Sequence, residues 1–110
     1  MTGQKYDPTG GETDAKGESA EDHWNLVSFV IRSQYRVAVL EHLSDGPAVP
    51  SRIASHSDFS LSHISRAIQE LRERDLIELL VSEQQKVGRL YGTTHRAEVV
   101  WDTIESERLN

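Results

Sequence analysis

The stretch from Ser60 to Asp75 constrains this chain more than any other, because its apolar and polar residues sort cleanly only on a helix. Leu61, Ile64, Ile68 and Leu71 recur at spacings of three and four, the pattern of one apolar stripe. Ser62, His63, Ser65, Arg66, Gln69 and Arg72 fall largely on the other faces. Ser60 stands where an N-cap belongs, with no Glu or Gln three positions on to complete a capping box. An ordinary amphipathic surface helix carries the same stripe. What sets this one apart is its outer face, lined with side chains of the kind that hydrogen-bond base edges and phosphates.

With 110 residues, the chain has room for one domain and a modest core. Its apolar runs are too short to span a bilayer, and the N-terminus lacks a basic region followed by an apolar stretch. The expectation is a cytoplasmic protein. Cysteine is absent, which excludes disulfides, thiolate catalysis and a Cys-type zinc site. The formal charge of -6 is unevenly spread. Residues 1–23 hold six acids against Lys5 and Lys16, whereas residues 84–96 hold Lys86, Arg89 and Arg96 and no acid. Local positive charge is what steers a surface towards phosphates. Arginines outnumber lysines by nine to three, and many acids with few lysines is a composition associated with halophilic archaea.

Residues 1 to about 21 read as a disordered acidic tail, rich in Gly, Thr, Asp, Glu and Ser and without periodicity. Residues 22–110 form the expected domain. Trp24, Leu26, Val27, Phe29, Val30 and Ile31 crowd too many faces for a single stripe. They fit a helix covered on more than one side, or a short strand. Ser33 caps a second helix to about Ser44, with Tyr35, Val39, Leu40 and Leu43 inward and Asp45-Gly46-Pro47 as its stop. Ala48-Val49 suits a tiny strand, and Pro50 opens a short helix with Ile53 and Ala54 facing in. Two short helices joined by the polar turn His56-Ser57-Asp58 make a helix-turn-helix. Beyond Asp75 the period changes. Leu76 to Val81 and Arg89 to Thr93 read as strands around the polar loop Ser82 to Gly88. Thr94 then caps a last helix with Ala97, Val100, Trp101 and Ile104 on one face.

This order resembles that of winged helix-turn-helix regulators, loosely the small archaeal ones of MarR and ArsR type. Three stretches carry the resemblance: Ser33 to Leu43, Leu61 to Ile68, and Gly88-Arg89-Leu90-Tyr91-Gly92-Thr93-Thr94. The tip Gln84-Gln85-Lys86-Val87-Gly88-Arg89 lacks the Asp-x-Arg usual in MarR-type wings, and ArsR-type cysteine ligands are missing. The subfamily stays open. The implied fold is mainly α with a small β-hairpin, an α+β winged helix-turn-helix. The implied function is sequence-specific DNA binding in transcription regulation, with a recognition helix at about 61–74 and a basic wing at about 82–90. A winged helix used as a protein-protein interaction module, without DNA reading, is the alternative.

Under the first reading, Ser62, His63, Ser65, Arg66 and Gln69 meet bases or phosphates of double-stranded DNA. Arg and Gln suit bidentate contacts to guanine and adenine. The competing roles for Arg66 are a solvated charge or an intrahelical pair with Glu70. Lys86 and Arg89 suit phosphates or the minor groove, and Ser51 and Arg52 a phosphate at a helix start. A homodimer is expected from Trp24, Val27 and Ile31 together with Val100, Trp101 and Ile104, unless the first and last helices pack on each other within one subunit. His23, His42, His56, His63 and His95 show no ligand spacing, so no metal and no cofactor is expected. No phosphate loop, nucleophile elbow or His-Glu-x-x-His run points to an enzyme.

Overall fold

The computed structural model describes residues 20–110. The acidic tail expected over residues 1–21 therefore lies outside the described residues, apart from Ala20 and Glu21, which already belong to the first helix. Among the described residues the chain forms α1 (Ala20–Ile31), α2 (Gln34–Ser44), α3 (Pro50–Ser57), α4 (Leu61–Glu73), β1 (Ile77–Leu79), β2 (Tyr91–Thr93) and α5 (His95–Ser106). The two strands pair antiparallel, Ile77 opposite Thr93 and Leu79 opposite Tyr91. Five helices and one hairpin in this order are a winged helix-turn-helix.

The first segment is a helix throughout, so the strand alternative for Phe29-Val30-Ile31 falls. Leu26, Val27 and Val30 are buried, while Trp24 and Ile31, two turns apart, remain exposed. At the other end Ala97, Val100, Trp101 and Ile104 are all buried, and α1 packs on α5 within the subunit. This corrects the expected dimer surface. Val27, Val100, Trp101 and Ile104 are core residues, because the inward stripes of the two helices cover each other. Of the six residues named for that surface, Trp24 and Ile31 alone stay open to solvent.

Helix α2 lies at the centre, in contact with every other helix and with β2. Ser33 caps it by accepting from the Arg36 amide at 3.3 Å, and Val39, Leu40 and Leu43 are its buried face. Pro50 sits in the first turn of α3, where its missing amide hydrogen costs nothing. That helix ends on Asp58 in the left-handed region, φ 65°, which turns the chain into α4.

On α4 the buried stripe is Ile64, Ala67, Ile68 and Leu71. Leu61, expected to open that stripe, is 51% exposed because it sits in the first turn, beyond the edge of the core. Ser60 caps the helix by accepting from the His63 amide at 3.2 Å. The far end closes as a Schellman motif. The Leu76 amide donates to Leu71 O at 2.9 Å, the Asp75 amide to Arg72 O at 3.0 Å, and Asp75 takes φ 60°. Leu71 and Leu76, both fully buried, provide the apolar contact that accompanies this motif.

The hairpin is shorter than its sequence pattern. The Leu80 amide still donates to Leu90 O at 2.7 Å, beyond which the polar stretch breaks the ladder. In place of a strand at Ala48-Val49 there is a single bridge, in which Ala48 and Tyr91 exchange amide hydrogen bonds of 3.1 and 3.0 Å. This bridge ties the loop before α3 to the wing. Thr94 joins α4 to α5. Its hydroxyl donates to Asp75 O at 2.8 Å and accepts from the Ala97 amide at 3.2 Å.

Ile68 is 1% exposed, so Ile68→Asp places an unpaired carboxylate in the core shared by α2 and α4. The penalty of several kcal/mol is roughly the whole stability of a small domain. Circular dichroism should show loss of the cooperative melt. A melt at the wild-type temperature would mean that α4 is rotated differently.

Candidate nucleic-acid interface

With its inner stripe packed, α4 exposes Ser62, His63, Arg66 and Gln69 and keeps Ser65 half-buried. His63 is held on two sides. Its ring lies flat on Tyr35 at 4.5 Å and 9°, and its Nδ1 hydrogen-bonds Ser60 Oγ at 2.9 Å. Tyr35 in turn meets Phe59 edge-on at 4.8 Å. Tyr35, read from sequence as an inner residue of α2, is thus the platform on which the first turn of α4 presents a histidine.

Glu70 does not pair with Arg66. It accepts from Arg36 Nε at 3.1 Å, an ion pair reaching from α4 back to α2. Arg66 therefore has no ion-pair partner among the described residues, and the same holds for Arg52 and Lys86. Ser51 and Arg52 are exposed in the first turn of α3, as expected from their spacing.

The wing is braced by its own side chains. Gln85 Nε2 donates to Val87 O at 2.9 Å and Gly88 O at 3.1 Å, and Gly88 supplies the positive φ of 67° that the turn requires. Arg89 Nε donates to Gln85 O at 2.7 Å and its Nη2 to Glu83 O at 3.0 Å. Arg89 is therefore part of the frame of the wing, with two donor groups engaged within the loop, and not an unbound guanidinium at the tip. Lys86 and the 84% exposed Val87 stand at that tip. Arg72 Nη2 donates to Glu83 at 3.1 Å, tethering the wing to the last turn of α4. Sequence reading missed Tyr35, Arg36 and Glu83 as parts of this surface. Their contacts close over long separations, and nothing in local periodicity marks them.

No helix among the described residues is long and apolar enough to cross a membrane. No group of three or more His, Asp or Glu among them could hold a metal ion.

Comparison with known proteins places this architecture. The chain belongs to the family described as the HVO_A0261 N-terminal domain, whose sequence profile matches residues 24–108. No curated protein matches it. Among solved structures it is similar to a protein described as a MarR-family transcriptional regulator from Enterococcus faecalis, with TM-score 0.68, 13% identity and 86% of both chains covered. It is also similar to diamide-treated YodB from B. subtilis, with TM-score 0.68, 15% identity, and 84% of this chain and 90% of that one covered. A double mutant of ZitR from Lactococcus lactis gives TM-score 0.62 and 20% identity over 69% of this chain. The chain spans about half of that protein, 52% of its length. At these identities the likeness is one of fold.

Arg89→Ala should loosen the wing without unfolding the domain, since the side chain braces an exposed loop. Hydrogen exchange should quicken at the amides of residues 83–89, while stability shifts by less than about 1 kcal/mol. Unchanged exchange would remove Arg89 from the frame.

Proposed function

We propose that this chain is a DNA-binding transcriptional regulator, a repressor or dual regulator, that acts without enzymatic chemistry or a cofactor. In this reading α4 lies in the major groove, with Ser62, His63, Ser65, Arg66 and Gln69 against bases and phosphates. The wing tip, through Lys86, lies along the backbone, and Ser51 and Arg52 hold a phosphate at the start of α3. One observation carries the proposal. The outward face of α4 presents an arginine without an ion-pair partner and a braced histidine, while the nearby carboxylate Glu70 is neutralised by Arg36. Such a face is poised for acceptors supplied from outside, and duplex DNA offers them in quantity. The MarR-type fold of the similar structures supports the same reading.

The chain acts as a homodimer in this proposal, which brings two reading helices about one DNA turn apart. The exposed apolar residues Trp24 and Ile31 on α1, with Val99 on α5, supply its surface. The -6 net charge favours a second reading, a protein-interaction module of the same fold. The two readings separate in salt, because phosphate contacts release counterions and a protein partner of mixed charge does not do so to the same degree.

Arg66→Ala and Gln69→Ala should each weaken binding to a selected operator by on the order of 1–3 kcal/mol with the fold intact. Lys86→Ala should weaken binding to all duplexes alike and flatten the salt dependence. Anisotropy titrations at several salt concentrations distinguish these outcomes. Absence of duplex binding by the wild type at low salt would sink the reading.

Trp24→Glu tests the dimer without opening the core, since Trp24 is 49% exposed. Sedimentation at micromolar concentration should show wild-type dimer and variant monomer with the same helical content. A wild-type monomer would leave the dimer unsupported.

A further inference from the structure

Phe29, in the last turn of α1, is where three helices meet. Arg36 of α2 donates from Nη1 to the Phe29 carbonyl, one of the terminal carbonyls that the helix itself leaves open. The Ser33 amide has gone to Val30 O instead, so the contact from Arg36 acts as a C-cap delivered by the next helix. The same guanidinium lies over the Phe29 ring at 4.0 Å and donates from Nε to Glu70 of α4 at 3.1 Å. Arg74, the C-cap residue of α4, sets its own guanidinium 4.1 Å from the centre of that ring. One half-buried arginine, 18% exposed, thus joins the end of α1 to the side of α4, and a second arginine closes the contact from the end of α4.

These contacts differ in kind from the rest of the α1 interface. Leu26, Val27 and Val30 attach α1 by apolar burial, which is strong but indifferent to small rotations. A guanidinium fork bound to a carbonyl and a carboxylate has direction as well as strength, and partial burial shields it from salt. The apolar face holds α1; the arginine contacts orient it.

We infer that Arg36 is a positioning residue for operator spacing: it fixes the angle between α1 and the reading helix α4. The inference rests on the dimeric DNA-reading function proposed above. If Trp24 and Ile31 join two subunits, the angle of α1 to α4 sets where the two reading faces stand. One base pair added between half-sites moves a half-site by about 3.4 Å and turns it by roughly 35°. A rigid α1–α4 angle rejects that change, and a loose one tolerates it. Arg36 touches no base in this scheme. It acts through Phe29 and Glu70.

The test uses the full chain and palindromic duplexes whose half-site separation is shortened or lengthened by one and two base pairs. Wild type should prefer one separation by about tenfold or more, the cost of roughly one misplaced base position. Arg36→Met combined with Glu70→Gln removes the fork without leaving a bare carboxylate beside the reading face. In this variant the preference should fall to within about twofold, with the ranking of base substitutions inside each half-site unchanged. Arg74→Met, which leaves Arg36 in place, should move the preference in the same direction by less and serves if the double variant does not fold. A variant that loses affinity equally at all separations, keeping the wild-type profile, would overturn the inference and leave Arg36 a structural residue only. A wild-type dimer that binds every separation alike would also overturn the inference, because its α1–α4 angle is then not fixed. A wild type that binds no duplex, or sediments as a monomer, removes the dimeric DNA-reading function itself.

Discussion

Everything exposed in this molecule depends on the packing of α4 against α2. Ile64, Ile68 and Leu71 meet a central helix whose Leu40 is itself fully buried, and each such side chain contributes about 1.5–3 kcal/mol by leaving water. That contact fixes the rotation of α4 about its axis. A turn of the helix by one residue, about 100°, would bury Arg66 or Gln69 without a partner, which costs more than the apolar gain can offset. The outward face is thus selected by what the inward face must be. The Schellman closure at Asp75 and the hydroxyl of Thr94 then fix where the wing and α5 begin relative to that face.

Much of this was legible in the sequence because it is local. Caps at Ser33, Ser60 and Thr94, the proline opening α3 and the glycine at the wing turn act over three or four residues, and each stands where it was read. What was not legible is which apolar surfaces meet. The apolar residues of α1 do lie on more than one face, yet four of the six residues expected at a dimer surface are already buried where α1 and α5 pack within the subunit. Sequence periodicity shows that Trp101 faces inward on its helix; it does not show whether the facing surface belongs to the same subunit. Strand lengths failed for a related reason. Leu80 and Val81 have strand-like side chains, but after the Leu80–Leu90 bond no further partner continues the ladder.

Charge was the least legible property, because the use of a charge depends on three-dimensional neighbours. Arg36, Arg72, Arg74 and Arg89 are all engaged in contacts within the subunit, to Glu70, Glu83, the Phe29 ring and loop carbonyls respectively. Arg52, Arg66 and Lys86 have no ion-pair partner among the described residues. A net charge of -6 averages over this division and says little about it. What matters to any charged ligand is the local potential, and here Glu70 and Glu83 are each paired with an arginine while Arg52, Arg66 and Lys86 are not paired with a carboxylate among the described residues.

Three of the four engaged arginines, all but Arg89, share a feature that bears on how such a small domain keeps its shape. Each reaches from one element to another: Arg36 from α2 to α1 and α4, Arg72 from α4 to the wing, Arg74 from α4 to α1. Ion pairs at or near the surface add little to stability, often below about 1 kcal/mol, so even the half-buried pair of Arg36 with Glu70 is a weaker tie than the apolar core. They are better suited to choosing among arrangements that the apolar core finds nearly equal. Apolar burial is non-directional, so a directional contact worth a fraction of the total stability can decide between arrangements of similar burial. The core makes the domain fold, and the arginines that bridge its helices from the edge select the angles at which its surface is presented.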